Sequence, residues 1–239
     1  MDNTNKNKDV IEGMFTAGAH FGYQRTRRHP TVKPYIFGSK NRGDIIDLEK
    51  TNELLNKTKE FVKSVSSLGK QVLFVGTKPE ARDVVKKEAS RIGMPYVTER
   101  WIGGILTNFH ELKKRMERYQ NLMKKKEEGA LSVYTKKERS IIERELAELD
   151  KNFGGLMAMK NIPGALFVVD SRNESIAVTE ASKMNVPVIS LSNSDCDLSL
   201  VNYPIVGNDS ATSSISFFVG EIAKAYEEGV SVDKTEKTS

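Results

Sequence analysis

The chain has 239 residues, 38% hydrophobic and 29% charged, with 37 Lys or Arg against 32 Asp or Glu and a formal net charge of +5. That length supports one large domain, or a domain with an insertion, and buries enough surface to fold without a disulfide or a metal. The single Cys196 excludes an intramolecular disulfide and a zinc knuckle, and no apolar run approaches the roughly 20 residues of a membrane span. The polar start MDNTNKNKDV lacks the apolar core of a secretory signal, so the expectation is an unprocessed cytoplasmic protein.

Residues 1–9 read as disordered. Ile11, Met14, Phe15 and Ala19 recur at helical spacing, and this segment is expected to end at Gly22. Next comes HFGYQRTRRHPTVKPYIFGSKNRG, residues 20–43, with six Lys or Arg, two His, four aromatics and no acid. The acid-free window runs from Gly13 to Gly43, where a balanced chain of this composition would place about four acids. Within it YIFG, and after it DIIDL, are strand candidates joined by the turn-rich SKNRG. Thr51 is expected to cap a helix whose apolar stripe is Leu54, Leu55, Phe61, Val62, Val65 and Leu68, with Gly69 as its stop. QVLFVG reads as a strand covered on both faces. Thr77 and Glu80 form a potential capping box for the next helix, with Pro79 in its first turn and Gly93 at its end. PYVTE is a further short strand.

Residues 108–153 differ in character. Leu112, Met116, Tyr119 and Met123 form one narrow stripe, and Ile142, Leu146, Leu149 and Phe153 another, each with 4-3-4 spacing. A second capping box, Thr135 and Glu138, opens the second stripe. The pattern predicts an antiparallel helical hairpin of coiled-coil type, its first arm about 28 Å long. The β/α alternation then resumes with GALFVVD, a helix near Ser175–Met184, VPVISLS, YPIVG and a helix over 210–227, and residues 228–239 read as a flexible tail. Strands alternating with helices imply a mostly parallel sheet with helices on both faces, formed by 10–107 and 154–227.

Two chemistries compete. An enzyme would use VLFVGTKPEA, where the Gly76-Thr77-Lys78 turn opens a helix that could seat a nucleotide phosphate, with Glu99 placed as a ribose-binding acid. The full glycine-rich phosphate motifs are missing, and a plain capped turn explains the same residues. His20, His29 and His110 lack helical metal spacing. Asp170, Asp195, Asp197 and Asp209 follow late strands, where α/β ligand sites form but where caps and turns also place acids. The basic segment offers the other chemistry. Arg25, Arg27, Arg28, Lys33, Lys40 and Arg42 would neutralise phosphates, and Tyr23, Tyr35, His29 and Phe37 would stack on bases. Tyr35 and Phe37 read equally as core, and the Lys-rich arm as a solvated surface. ERWIGGILTNF, with Gly103 and Gly104 beside the sole Trp, is either a packing hinge or an RNA-contacting loop.

AGAHFGYQRTRRHPTVKPYIFGSKNRGDIIDLEKT, VLFVGTK, RWIGGILTNF, and GALFVVD followed by VPVISLS and VGND resemble the bacterial small-subunit ribosomal protein two family, over about residues 10–227. The resemblance implies a flavodoxin-like (Rossmann-like) α/β domain of five parallel strands in order 2-1-3-4-5 with a helical-hairpin insertion. It further implies no catalysis, and the expectation is no cofactor and no small-molecule substrate; the departures of this chain from the family pattern weaken a metal site carried over near His20. The implied role is structural: binding 16S rRNA between head and body on the solvent side, joining late in assembly. Implied protein partners are neighbouring small-subunit proteins and ribosomal protein one, which captures messenger RNA. Arg27, Arg28, Lys33, Asn41, Arg42, Lys78, Arg100, Trp101, Thr107 and Asn108 fall in the matching blocks. With Tyr23, Arg25, Lys40, Lys113, Lys114, Lys136 and Lys137 from the charge pattern, and leaving Thr107 aside, they make up the candidate rRNA-binding set. The chain departs from the family pattern at Tyr23, at His29 and in NSDCDLSL.

Overall fold

The computed structural model describes residues 2–236, excepting the side chains of 2–6, 130, 132 and 232–236. Its centre is a five-stranded parallel sheet. In chain order the strands are β4 (Val72–Val75), β5 (Tyr96–Val97), β6 (Ala165–Val169), β7 (Val188–Ser192) and β8 (Tyr203–Val206), in spatial order β5-β4-β6-β7-β8. Numbered within the sheet, that is the 2-1-3-4-5 order of a flavodoxin-like fold. Every residue of β4, β6 and β7 is buried, as continuous apolar runs require when helices cover both faces.

Alternation along the strands divides the core in two. Phe74, Phe167, Val169, Ile189 and Ile205 face the layer made by α1 (Asp2–Thr16), α2 (Leu48–Ser67), α3 (Pro79–Arg91) and α7 (Thr212–Glu236). Leu73, Val75, Leu166, Val168 and Val188 face α6 (Ser175–Lys183) and the root of an inserted helical pair, α4 (Phe109–Glu127) and α5 (Lys136–Phe153). Leu112, Met116 and Phe153 belong to this second core, so the pair is rooted in the body. Farther out, Tyr119 donates to Asp150 at 2.6 Å and Arg118 pairs with Glu145 at 2.7 Å across the two helices. The Thr135–Glu138 capping box is present in both directions.

The N-terminal basic segment forms a sheet of its own, in order β1-β3-β2, from β1 (Phe21–Gln24), β2 (Ile36–Lys40) and β3 (Gly43–Ile46), all antiparallel. Val32 and Ile46 fasten it to Val206 of the main sheet.

Several local readings are corrected. Residues 2–9 are helical: the segment carries no Gly or Pro, and each added residue extends a helix already anchored by buried Met14, with Asn7 accepting from Asn52 at 3.3 Å. That helix ends at Thr16, well before Gly22. Gly18 takes φ +73° and the amide of Ala19 returns to the Met14 carbonyl, freeing residues 21–24 to pair as a strand. Asp47 caps α2 in place of Thr51, whose hydroxyl bonds the carbonyls of Asp47 and Val206 inside the protein. Residues 228–236 continue α7, because Gly229 lets the helix lie against α2; a Cβ there would sit 2.6 Å from the Lys63 carbonyl oxygen. Residues 237–239 of the expected tail, like Met1, lie outside the described residues.

Candidate nucleic-acid interface

The exposed cations of the basic sheet are positioned by pairs buried beneath them. Arg28 grips the buried Asp44 with one guanidinium edge, Nε donating to Oδ2 at 2.7 Å and Nη2 to Oδ1, and Ser39 adds a bond to the same carboxylate at 2.8 Å. The Arg28 hydrogen bond, with smaller help from Ser39, holds the Asp44 carboxyl below its ordinary pKa despite burial. Arg28 is therefore an internal tie whose charge is already answered by Asp44. Tyr23 is also a tether. Its amide donates to Ser194 Oγ at 2.9 Å, its hydroxyl bonds Ser210 at 2.6 Å, and Arg27 lies over its ring at 5.8 Å.

With those ties made, Arg25, Arg27, Lys33, Lys40 and Arg42 are exposed, and none forms an ion pair within 4 Å among the described residues. The β2–β3 turn sharpens this arrangement. Asn41 (φ 51°) and Arg42 (φ 66°) both take left-handed backbone, and the Arg42 carbonyl accepts the Arg25 amide at 3.0 Å. A non-glycine residue in that conformation is strained by roughly 1–2 kcal/mol. The side chains of Lys40, Asn41 and Arg42 are all exposed at this tip. Among the aromatics, Phe37 is 78% exposed, while Tyr35 packs against the small core under the sheet.

The ends of the parallel strands present the opposite case. Lys78 lies 2.5 Å from Asp170 and 3.2 Å from Asp209, and its side chain is only 16% exposed. Burial alone would lower its pKa, but Asp209 and Asp170 outweigh burial and hold the ammonium above its ordinary value. Asp209 is pushed up, first by burial and then by Asp170. Thr77 does not cap α3; its amide and hydroxyl both donate to Glu174, at 3.0 and 2.5 Å. The seat that a nucleotide phosphate would take is thus filled by the protein's own carboxylate, and the lysine is already neutralised. Glu99 is likewise paired, with Arg82 at 3.5 Å and Lys151 at 3.8 Å. Asp170, Cys196 and Asp209 bring ligand atoms within 4.8 Å of one another. Two features explain that cluster without an ion: the Lys78 ammonium is its cation, and burial foremost pushes the Cys196 thiol up to about 12, so it stays protonated.

The RWIGGILTNF loop wraps a single buried carboxylate. Glu180 of α6 accepts from Trp101 Nε1 (3.2 Å), the amides of Gly104 (2.7 Å), Leu106 (3.2 Å) and Thr107 (3.4 Å), and the Thr107 hydroxyl (3.3 Å). Gly104 makes the loop possible with φ +97°. Burial would raise the Glu180 pKa, and these donors reverse the shift. Trp101 is 6% exposed, and its ring packs within the hinge. Arg100 and Asn108 on either side are exposed. On the helical pair Lys113, Lys136 and Lys137 are exposed with no ion-pair partner among the described residues, and Lys114 pairs with Glu111 at 2.7 Å. Sequence reasoning did not find Glu174, Glu180 or Asp44. Each is an ordinary acid in the sequence, and the partner that decides its role (Arg28 for Asp44, Thr77 for Glu174, the loop over 101–107 for Glu180) lies 16 or more residues away.

Among the described residues no helix is long and apolar enough to cross a membrane. The family model described as ribosomal protein S2 matches residues 14–229. A small ribosomal subunit protein uS2 from Endomicrobium trichonymphae is 43% identical over 223 residues, covering 93% of this chain and 91% of the relative. The protein of the same name from Coprothermobacter proteolyticus is 43% identical over 220 residues, 92% of this chain and 82% of the relative. That from Syntrophobacter fumaroxidans is 44% identical over 219 residues, 92% and 80%.

Proposed function

The chain belongs to the ribosomal protein S2 family, and from that membership we propose that it is a structural, non-enzymatic component of the small ribosomal subunit in the cytoplasm, binding 16S rRNA. One observation supports the RNA-binding part above all: among the described residues, Arg25, Arg27, Lys33, Lys40 and Arg42 stand exposed without an ion pair on a sheet whose own buried acid, Asp44, is already gripped by Arg28. Unpaired cations on a rigid platform fit phosphate contacts that release counterions, and RNA so bound is recognised by shape more than by sequence.

The proposed contact surface is this sheet with Arg100, Asn108 and the exposed lysines of the helical pair, Lys113, Lys136 and Lys137. Tyr23, Arg28, Lys78 and Trp101 support it from beneath. The finer reading, carried by the family resemblance, places the protein between head and body on the solvent side, adding late and helping dock ribosomal protein one. Salt-washed sedimentation of a cell extract tests the role. The account expects the protein to travel with 30S particles; recovery at the top of the gradient under moderate salt would refute it. Equilibrium dialysis against ATP, GTP and NAD tests the nucleotide alternative and is expected to show no stoichiometric uptake, because Glu174, Asp170 and Asp209 occupy and repel the phosphate position.

A further inference from the structure

Beside the basic sheet, a cleft of about 600 Å³ opens between the start of α6 and the segment following β7. That volume is within the roughly 300–1,000 Å³ of small-ligand sites. Its lining differs from the phosphate-directed surface next to it. Val178 and Leu200 give it an apolar wall, and Leu200 is 52% exposed with nothing over it. Arg27 and Arg172 flank the opening, and Asp197 stands at its edge. The cleft runs on to a second hollow floored by Lys78 and Asp170 that shares Arg27 and Arg172 with it.

A phosphate is a poor occupant. Asp170 and Asp209 together outweigh Lys78, and Asp195 takes up one edge of Arg172 at 2.8 Å. Asp197 adds a further negative charge, kept ionised because Ser199 donates hydroxyl and amide to its Oδ1 at 2.6 and 2.9 Å and lowers its pKa. Those bonds leave its Oδ2 free, with the side chain 56% exposed. A neutral, planar ring with donors on one edge and acceptors on another matches every feature. It would stack on a guanidinium plane and on Leu200, give its donors to the carboxylate, and take its acceptor bonds from arginine. Guanine is the base whose Watson–Crick edge carries two adjacent donors that can share the one free carboxylate oxygen, Oδ2, and whose O6 and N7 accept from arginine.

We propose that this cleft is a slot for one unpaired guanine of the bound RNA, with Asp197 reading its donor edge, Arg27 or Arg172 its acceptor edge, and Leu200 and Val178 supporting its face. The proposal rests on RNA being the partner. It makes base identity matter at one position on a surface that otherwise answers to charge and shape.

The test uses the full chain and two short single-stranded RNAs, all uridine except for one central guanine or adenine, with affinity read by fluorescence anisotropy. The guanine RNA should bind about tenfold more tightly, the discrimination typical of one bidentate contact. Asp197→Asn should erase that preference and leave the salt dependence of binding unchanged. Asparagine still offers Oδ1 to Ser199, so the loop keeps its turn, and an unchanged melting curve verifies this. Equal binding of the two RNAs, or a preference that survives Asp197→Asn, overturns the slot. Failure of the underlying reading would register separately, as a wild-type protein that does not sediment with 30S particles.

Discussion

Two regions of this molecule hold concentrated charge and treat it in opposite ways. At the ends of the parallel strands, Lys78, Asp170, Asp209, Thr77 and Glu174 are buried and answer one another. On the N-terminal sheet, Arg25, Arg27, Lys33, Lys40 and Arg42 are exposed and form no ion pair among the described residues. The first arrangement is what stability demands of buried ions, since an ion without a partner in a protein interior is costly. The second leaves positive charge for a partner outside. An α/β fold that ordinarily binds a phosphate at the turn after its first strand here has that turn filled by its own side chains, and the unanswered positive charge stands on an added sheet beside it.

Breaking the buried side of the comparison should give the largest effect. Lys78→Met leaves two carboxylates facing each other in the interior and should cost about 3–5 kcal/mol in urea unfolding, with no change in the salt dependence of RNA binding. A loss confined to RNA affinity would mean Lys78 belongs to the contact surface after all. Next is Glu180→Gln, which turns an acceptor of five bonds into a group that presents a donor to some of them; about 2–3 kcal/mol should be lost. Because the folded Glu180 pKa lies below the ordinary glutamate value, its contribution is fully present above that ordinary value and disappears as pH falls through the lower folded pKa. Wild type should therefore lose stability over that acid window, and the Gln variant should lose less; parallel acid profiles would contradict the role given to Glu180. Gly229→Ala should cost about 1–3 kcal/mol by pushing α7 off the Lys63 carbonyl, whereas a neutral result would mean the helix end is not packed there. The smallest effect has the opposite sign. Arg42→Gly relieves left-handed strain and should raise stability by about 1 kcal/mol while weakening RNA binding, a trade expected only where the side chain works outside the fold.

How far the sequence could be read follows from how local each determinant is. VLFVG, ALFVVD and VPVISLS announce buried parallel strands because both faces are apolar, and the Thr135–Glu138 box is readable because donor and acceptor lie three residues apart. Thr77–Glu80 has the same spacing and is not a box, since Glu174, 97 residues on, takes both Thr77 donors. Asp47 and Thr51 are both good caps by type, and only the docking of the Thr51 hydroxyl onto Val206 decides between them. In the basic segment the run of cations was plain, but which of them were free was not. Arg28 looks like its neighbours until β3 folds back and sets Asp44 beneath it. Trp101 and Glu180 lie 79 residues apart and meet only through packing, so the hinge role of the RWIGG loop could be posed from the sequence and not resolved by it.

The claim that unpaired cations on the N-terminal sheet neutralise RNA phosphates is tested most directly by the salt dependence of binding. Replacing Arg25, Arg27 and Arg42 together with alanine should flatten the slope of log K against log salt by about 2–3 units, one phosphate contact for each charge removed. An unchanged slope, with the variant folded and still bound to RNA, would take that sheet out of the interface and contradict the account.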